Sequence, residues 1–306
     1  MAFKADKIFM DGKFVDWNDA KIHVLSHVIH YGSGVFEGIR CYKTKNGSAI
    51  FRLEDHVRRL YDSARIFRMI PPGFSPEEMK KAIIETVRVN KLDEAYIRPL
   101  IYRGFHELGL NPLKSPINVM VAAWDWGRYL GPEALEKGIS AKISSWHRAA
   151  PDTYPLLAKI TGNYVNSQLV KLEALENGYD EGIALDSYGY VSEGSGENLF
   201  MVRNGTIFTP PTSSASLAGI TRHCIFVLAR EFDIPVKQHV LPRESLYIGD
   251  EVFITGTAAE ITPVTKIDNI QVSDGKRGVI TKKLQDKFFS IIDGTAEDRF
   301  NWLTFI

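Results

Sequence analysis

AYIRPLIY, residues 95–102, reads as a β-strand. A period of two places Tyr96, Arg98, Leu100 and Tyr102 on one face. Pro99 withholds a ladder donor, so an edge or a bulge is expected at that point. Downstream, INVMVAAW (117–124) is a second, continuously apolar strand. Between and around such segments lie stretches of helical period, and this alternation argues for an α/β or α+β architecture.

Outward from this pair, the helix signals are specific. Ser75 is a good N-cap, Pro76 suits the first turn and Glu78 completes a capping box; Met79, Ile83 and Val87 mark the buried face. Val57, Leu60, Ala64 and Phe67 mark an earlier helix with Glu54 and Asp55 at its acidic start and Pro71-Pro72 beyond its end. Asp11-Gly12 reads as a hairpin turn, as does Asn204-Gly205 between ENLFMV and IFTP. In the second half, ISAKISSW, EGIALD and EVFIT read as strands, a helix is expected from about Thr221 to Phe232, and the last one spans about 277–292. Gly127, Gly131 and Pro132 suggest a break. The expected division is a small N-terminal domain over 1–128, an interdomain loop at 129–137 and a larger C-terminal domain over 138–306. Two domains also suit the 306 residues.

Composition excludes several classes. Lys plus Arg equals Asp plus Glu at 37 each, so there is no electrostatic case for nucleic acid or an anionic membrane. No apolar run approaches the roughly 18 residues of a spanning helix. The opening MAFKADKIF lacks an apolar signal core, and Cys41 and Cys224 form no metal-type or redox-type pair, so a cytoplasmic location is expected. His23, His27 and His30 have a spacing that a helix could turn into metal ligands, but the β-branched surroundings favour structural histidines, and no metal is expected. GSGVFEG and EGSGEN lack the dinucleotide spacing, and there is no Walker loop, HExxH or GxSxG.

Four features can carry chemistry. Lys159 lies in the apolar PLLAKITGNY, where partial burial would favour a neutral, nucleophilic amine; a snorkelling surface lysine is the alternative. Gly219-Ile220-Thr221 stands at a helix start, where free amides and the helix dipole favour an anion, and Gly256-Thr257 ends a strand with a further turn of amides. Capping and a plain turn would account for both equally. Glu193 precedes Gly194 in a Gly-rich connection and can face a protonated nitrogen or simply solvent. Tyr96 and Arg98 share a strand face and can grip a carboxylate or form a structural ion pair.

HYGSGVFEGIRCY, RLYDSARIFR, AYIRPLIY, SSWHRAAPDTYPLLAKITGNYVNSQL, EGIALDSYGYVSEGSGENLF, LAGITR and ESLYIGDEVFITGTAAEITPV together resemble the branched-chain amino acid aminotransferases of pyridoxal-phosphate fold type IV. The resemblance covers nearly the whole chain. It implies an α/β fold of α+β type with two domains, pyridoxal 5'-phosphate at their interface, and a homodimer with shared sites, extended to hexamers in some members. Lys159 resembles the lysine that bonds the cofactor and moves protons, Glu193 the partner of the pyridine nitrogen, and Tyr164 the partner of the phenolic oxygen. Arg59, Ile220, Thr221 and Thr257 resemble the phosphate ligands, and Leu217 the residue packed on the ring.

For substrate, Gly256, Thr257 and Ala258, with Tyr96 beside them, resemble the turn that meets the α-carboxylate. Phe36, Tyr129, Tyr164 and, from a neighbouring subunit, Tyr31 and Leu110 resemble the side-chain pocket. Arg98 resembles the residue, on a movable loop, that receives the distal carboxylate of L-glutamate or 2-oxoglutarate. The implied reaction moves the amino group of L-leucine, L-isoleucine or L-valine to 2-oxoglutarate with ping-pong kinetics. The loop RGFHELGLNP departs from the pattern through Arg103, His106 and Glu107, which bears on substrate breadth. A D-amino-acid or R-selective amine transaminase shares the same lysine and cup, as does a lyase acting on aminodeoxychorismate. A non-catalytic relative that only binds the cofactor is the reading from another class.

Overall fold

The computed structural model describes residues 5–127, 130–131 and 133–306. The chain separates into two compact units, one made of Met1–Gly127, Ala158–Asn163 and Ile291–Ile306, the other of Arg128–Leu157 and Tyr164–Ser290.

The first unit begins with the hairpin β1 (Lys7–Met10) and β2 (Lys13–Asp16), turned at Asp11-Gly12, both in the left-handed region. Then follow α1 (His27–Tyr31), β3 (Gly34–Phe36), β4 (Ile39–Thr44), β5 (Gly47–Phe51), α2 (Leu53–Ile66), α3 (Pro76–Val89), β6 (Ala95–Arg103) and β7 (Ile117–Trp124). The capping box forms as the sequence suggests: Glu78 N donates to Ser75 Oγ and Ser75 N donates to Glu78 Oε2. Leu53, Val57, Leu60 and Ala64 of α2 and Met79, Ile83 and Val87 of α3 enter one core with Ile97, Ile101, Val119 and Val121 of the sheet.

Pro99 lies on an interior strand, not at an edge. β6 pairs β7 from Tyr96 to Arg103, and on its other side β3 pairs as far as Phe36 opposite Leu100 while β4 begins at Ile39 opposite Ile97. The ladder is broken at residues 37–38. Glu37 N donates to the Pro99 carbonyl at 3.0 Å, and in an antiparallel ladder a residue's N and O face the same neighbour. The missing N–H of Pro99 therefore faces the break.

The second unit contains α4 (Ala134–Lys137), β8 (Ile139–Ile143), α5 (Tyr164–Glu176), β9 (Glu181–Leu185), β10 (Val191–Gly194), β11 (Asn198–Arg203), β12 (Thr206–Thr209), α6 (Ile220–Glu231), β13 (Val236–Gln238), β14 (Glu251–Gly256), β15 (Glu260–Ile267) and β16 (Ile270–Gln271). Its sheet runs β10-β9-β8-β15-β14-β11-β12-β13, with β16 on β15. The inner faces of these strands supply a second core, among them Ile183, Val191, Leu199, Ile254 and Val264. The helix α7 (Val279–Ile292) leads back, and β17 (Leu303–Phe305) joins β5 at the end of the first unit's sheet, which runs β17-β5-β4-β6-β7-β1-β2 with β3 on β6.

Residues 158–163 belong to the first unit because they are stitched to residues 32–36. Phe36 N donates to the Lys159 carbonyl at 3.1 Å, and Val35 bridges Ile160. Thr161 Oγ1 donates to the Gly32 carbonyl at 2.6 Å and accepts from Gly34 N at 3.2 Å. Gly32 has φ of +61°, and a Cβ there would stand 2.8 Å from the Cα of Gly162. Backbone strain and collision therefore combine at this position. Gly32→Ala is expected to destabilise the protein by at least about 1–2 kcal/mol. Chemical denaturation checks this, and an unchanged midpoint would show that the stitch does not need the glycine.

Candidate active site

In the first unit the stitch fixes Lys159. Its flanking residues Ala158 and Ile160 are buried, and its own amide donates to Ser63 Oγ at 3.0 Å. The side chain is half-buried, with Nζ 5.0 Å from the centre of the Phe36 ring. Helix α2 turns His56, Arg59 and Ser63 to one side, as the spacing of three and four residues requires. Ser63 meets Lys159, and the other two meet Glu37. Arg59 donates from Nε to Glu37 Oε1 at 2.6 Å and from Nη2 to Oε2 at 2.8 Å. His56 Nδ1 lies 2.8 Å from Glu37 Oε2.

Glu37 is fully buried. Burial opposes its ionisation, but the charge and hydrogen bonds of Arg59, aided by His56, win and hold the carboxyl well below the usual range. Burial likewise pushes the His56 imidazole below its ordinary value, reinforced by Arg59 and Lys159 and opposed by Glu37. His56 is thus the neutral tautomer that donates from Nδ1 to Glu37.

Phe36, Tyr96 and Arg98 also come together. The Arg98 guanidinium lies 4.8 Å from the Phe36 ring centre and 5.5 Å from that of Tyr96, with Nη2 3.5 Å from the Tyr96 hydroxyl. Its Nε is buried without a hydrogen-bond partner. The expected movable loop is not where Arg98 resides: it is in the middle of β6, opposite Ala122, because that strand is paired through it. Gly38 makes room for this group, since a Cβ there would stand 1.9 Å from the Tyr96 hydroxyl. Tyr31 closes α1 and Leu110 lies in the 104–116 connection, both exposed. Arg103 carries this connection, donating to the carbonyls of Pro112 and Arg68. Tyr129 lies outside the described residues.

The second unit holds the other set. Glu193 ends β10 as a buried carboxylate. Arg148 donates to Oε1 from Nε at 3.1 Å and from Nη2; Leu217 N and Asn198 Nδ2 donate to Oε2 at 3.0 and 3.2 Å. Asn198 Nδ2 also donates to the Leu217 carbonyl at 2.8 Å, tying the half-buried Leu217 to the sheet. Arg148 reaches across to Asn166 and Ser167 of α5, the helix that Tyr164 opens. Helix α6 begins at Ile220 with Gly219 as N-cap and no side-chain cap, and its first internal bond is His223 N to the Gly219 carbonyl. The amides of Ile220 and Thr221 are therefore not used by the helix ladder. A Cβ on Gly219 would fall 1.9 Å from Asn198 Oδ1, so the anion cup and the Glu193 network share a side chain. Gly256 ends β14, and Thr257 and Ala258 form the turn into β15, all half-buried. Thr255 Oγ1, just before them, is buried without a partner.

Sequence reasoning missed Glu37, His56, Arg148, Asn198 and Glu197. The signal for His56 and Arg59 was their spacing of three on an amphipathic helix. For Glu37 it was an acid inside the apolar run of VFEGI. Arg148 and Asn198 left no comparable trace, because their role depends on where the sheet brings them. Among the described residues no group of three or more His, Cys, Asp or Glu is placed to hold a metal ion, and His27 instead bonds Ser33 Oγ and the Gly109 carbonyl.

The chain as a whole matches known proteins closely. The amino-transferase class IV profile matches residues 34–267, and the chain belongs to that family. It is 53% identical over 301 residues to the branched-chain-amino-acid aminotransferase of Escherichia coli, covering 98% of this chain and 97% of that one. The crystal structure of the E. coli branched-chain amino acid aminotransferase superposes with a TM-score of 0.96 at 53% identity, over 98% of this chain and 99% of the other. A branched-chain amino acid aminotransferase from Thermobaculum terrenum, in its PLP form, gives 0.90 at 34% identity over 98% of each chain.

Glu197 yields a test of the second unit's electrostatics. Burial, then the neighbouring Glu181, push its carboxyl up to about 8, against the amide of Gly196 and the charge of Lys171. The folded protein then keeps a proton that the unfolded chain releases near pH 4.3, so stability falls as pH rises from about 4.3 to about 8. Glu197→Gln should remove that slope. Urea denaturation of both proteins across this interval measures it, and parallel pH profiles would contradict the assignment.

Proposed function

We propose that the chain transfers the amino group of L-leucine, L-isoleucine or L-valine to 2-oxoglutarate, giving L-glutamate, with pyridoxal 5'-phosphate as cofactor. The observation that carries this reading is the Glu193 carboxylate, buried, held by Arg148, Asn198 and Leu217, and linked through Asn198 to the uncapped start of α6. The residues fit the cofactor. The amides of Ile220 and Thr221, with the hydroxyls of Thr221 and Thr257 and the cation of Arg59, suit its phosphate; Glu193 suits a protonated ring nitrogen; the orphaned Thr255 hydroxyl marks a polar position beside the Gly256 turn.

When bound, the cofactor supplies an aldehyde that exchanges amines and a ring that withdraws electrons from the substrate's α-carbon. Lys159 would hold the cofactor through its Nζ, and the same Nζ would accept and return the substrate's α-proton. Glu193, gripped by Arg148 through Oε1, would hold the ring nitrogen. Tyr164 would hold the phenolic oxygen, and Leu217 would pack on the ring. The Gly256-Thr257-Ala258 turn and Tyr96 bind the α-carboxylate. Phe36, with Tyr129 and Tyr164, offers apolar contact to a branched side chain, and Arg98 stacked on Phe36 supplies a cation for the distal carboxylate of glutamate.

A homodimer completes this reading. Val24, Ile29, Leu108, Leu110 and Leu113 are exposed, and the 22–31 and 104–113 segments that carry them are joined by His23 stacked on Phe105 and by His27 bonded to Gly109. Such an apolar patch favours a second copy, which would bring Tyr31 and Leu110 to a neighbouring site; assembly to hexamers follows the resemblance. No helix among the described residues is long and apolar enough to cross a membrane. Both cysteines are free and buried, which suits a reducing cytoplasm.

Borohydride reduction of the yellow holoprotein followed by peptide mapping should place the label on Lys159, and Lys159→Ala should lower turnover by at least about 10²–10⁴-fold. Label on another lysine would end the proposal. With L-leucine, D-alanine and R-1-phenylethylamine assayed side by side, the L-amino acid should bleach the cofactor absorbance fastest. A faster response to either of the others would move the chain to the D-amino-acid or R-amine branch.

A further inference from the structure

Glu37 is a carboxylate with no role in the reading above. It sits where the β6 ladder is broken, between Phe36, whose amide holds the Lys159 carbonyl, and Gly38, which makes room for Tyr96. Its side chain turns the other way, into the core, and is fully buried. There it takes two hydrogen bonds from Arg59, in the fork geometry that fixes the plane of a guanidinium, and one from the neutral His56. Arg59 is itself only 14% exposed in its side chain. An arginine that reaches an anion from a flexible surface side chain loses rotamer freedom on binding. Arg59 has already lost it, because Glu37 holds two of its nitrogens. Nothing in the packing of α2 requires an acid at this position: the helix core is satisfied by Val57, Leu60 and Ala64. The acid matters to Arg59.

We propose that Glu37 is a positioning residue for the cofactor phosphate, acting through Arg59, whose guanidinium it orients and holds in place before the phosphate arrives. The inference rests on the reading of Arg59 as a phosphate ligand. His56 completes the arrangement by donating to the same carboxylate without adding a second positive charge, so Glu37 pairs with one cation. Its other nitrogen, Nε2, is buried without a hydrogen-bond partner. This is tolerable for a neutral acceptor and far more costly for a charged imidazole.

The test separates the phosphate from the rest of the cofactor. Dissociation constants of full-length protein for pyridoxal 5'-phosphate and for pyridoxal are compared in the parent, Glu37→Gln, Arg59→Met and the double variant. In Glu37→Gln the affinity for the phosphorylated form should fall about tenfold or more, while that for pyridoxal changes far less. A merely structural role would weaken both alike, and that result overturns the proposal. If Glu37 acts through Arg59, the preference for the phosphorylated form in the double variant should equal that of Arg59→Met alone; independent, multiplying losses overturn it as well. If Arg59→Met leaves the preference intact, Arg59 is not a phosphate ligand and the earlier assignment fails first. If Glu37→Gln does not fold, Glu37→Asp, which keeps the charge but draws it back from Arg59, takes its place: the preference for the phosphorylated form should fall while the affinity for pyridoxal holds, and an equal loss of both overturns the proposal.

Discussion

Everything in the first unit that bears on chemistry depends on the register of residues 158–163 against residues 32–36. One backbone bond from Phe36, one bridge at Val35 and the two contacts of Thr161 determine which way each side chain of this segment faces. A slip of one residue would move Lys159 off the position where the Phe36 amide and Ser63 Oγ hold its backbone. The threonine hydroxyl pins the register because it satisfies Gly32 and Gly34 together, and Gly32 and Gly162 permit the approach. The amide of Lys159 is in turn held by Ser63, so the lysine's backbone is constrained from the strand side and the helix side.

The second unit is organised around a different constraint, the cost of burying a carboxylate. Glu193 is held by a cation, an amide side chain and a backbone N–H. Each donor comes from a separate segment, so the carboxylate acts as a junction for β11, the 210–219 connection and the stretch before α5. Removing one partner from such a junction leaves charge uncompensated. Glu197, close by in sequence, is buried with less hydrogen-bond support and an acidic neighbour, Glu181, and its carboxyl is pushed up to about 8. The two glutamates, four residues apart, thus have different neighbours: one meets an arginine and the other an acid.

Much of this fold was legible. The capping box of α3, the turns at Asp11-Gly12 and Asn204-Gly205, and the strands β1, β2, β6 to β9, β11, β12 and β14 follow from local propensity and period, which act over a few residues. Pro99 was legible in kind: it marks a ladder defect, but whether at an edge or inside a sheet depended on where β3 and β4 end. Helix α5 was not read, since its apolar residues do not form one clean face, nor was β17, whose three residues pair with a strand some 250 positions earlier. For the site, residue context raised Lys159, Glu193, Thr221 and Gly256 and left each open, while the resemblance gave them roles and added Arg59. Glu37, His56, Arg148 and Asn198 escaped because their partners are 19 or 22, 19, 45 and 5 or 19 residues away. No short pattern encodes those pairings.

The pairing of β17 with β5 has a consequence for biogenesis. Strands β1 to β7 leave the ribosome first, yet the outer edge of β5 has no neighbour until Leu303–Phe305 has been synthesised. During translation of the whole second unit that edge presents unsatisfied amides and carbonyls, the kind of surface that recruits foreign strands. That edge of the sheet is thus covered only when Leu303–Phe305 arrives, and Trp302, whose carbonyl accepts the Arg52 amide and whose ring stacks beside Phe300, precedes it.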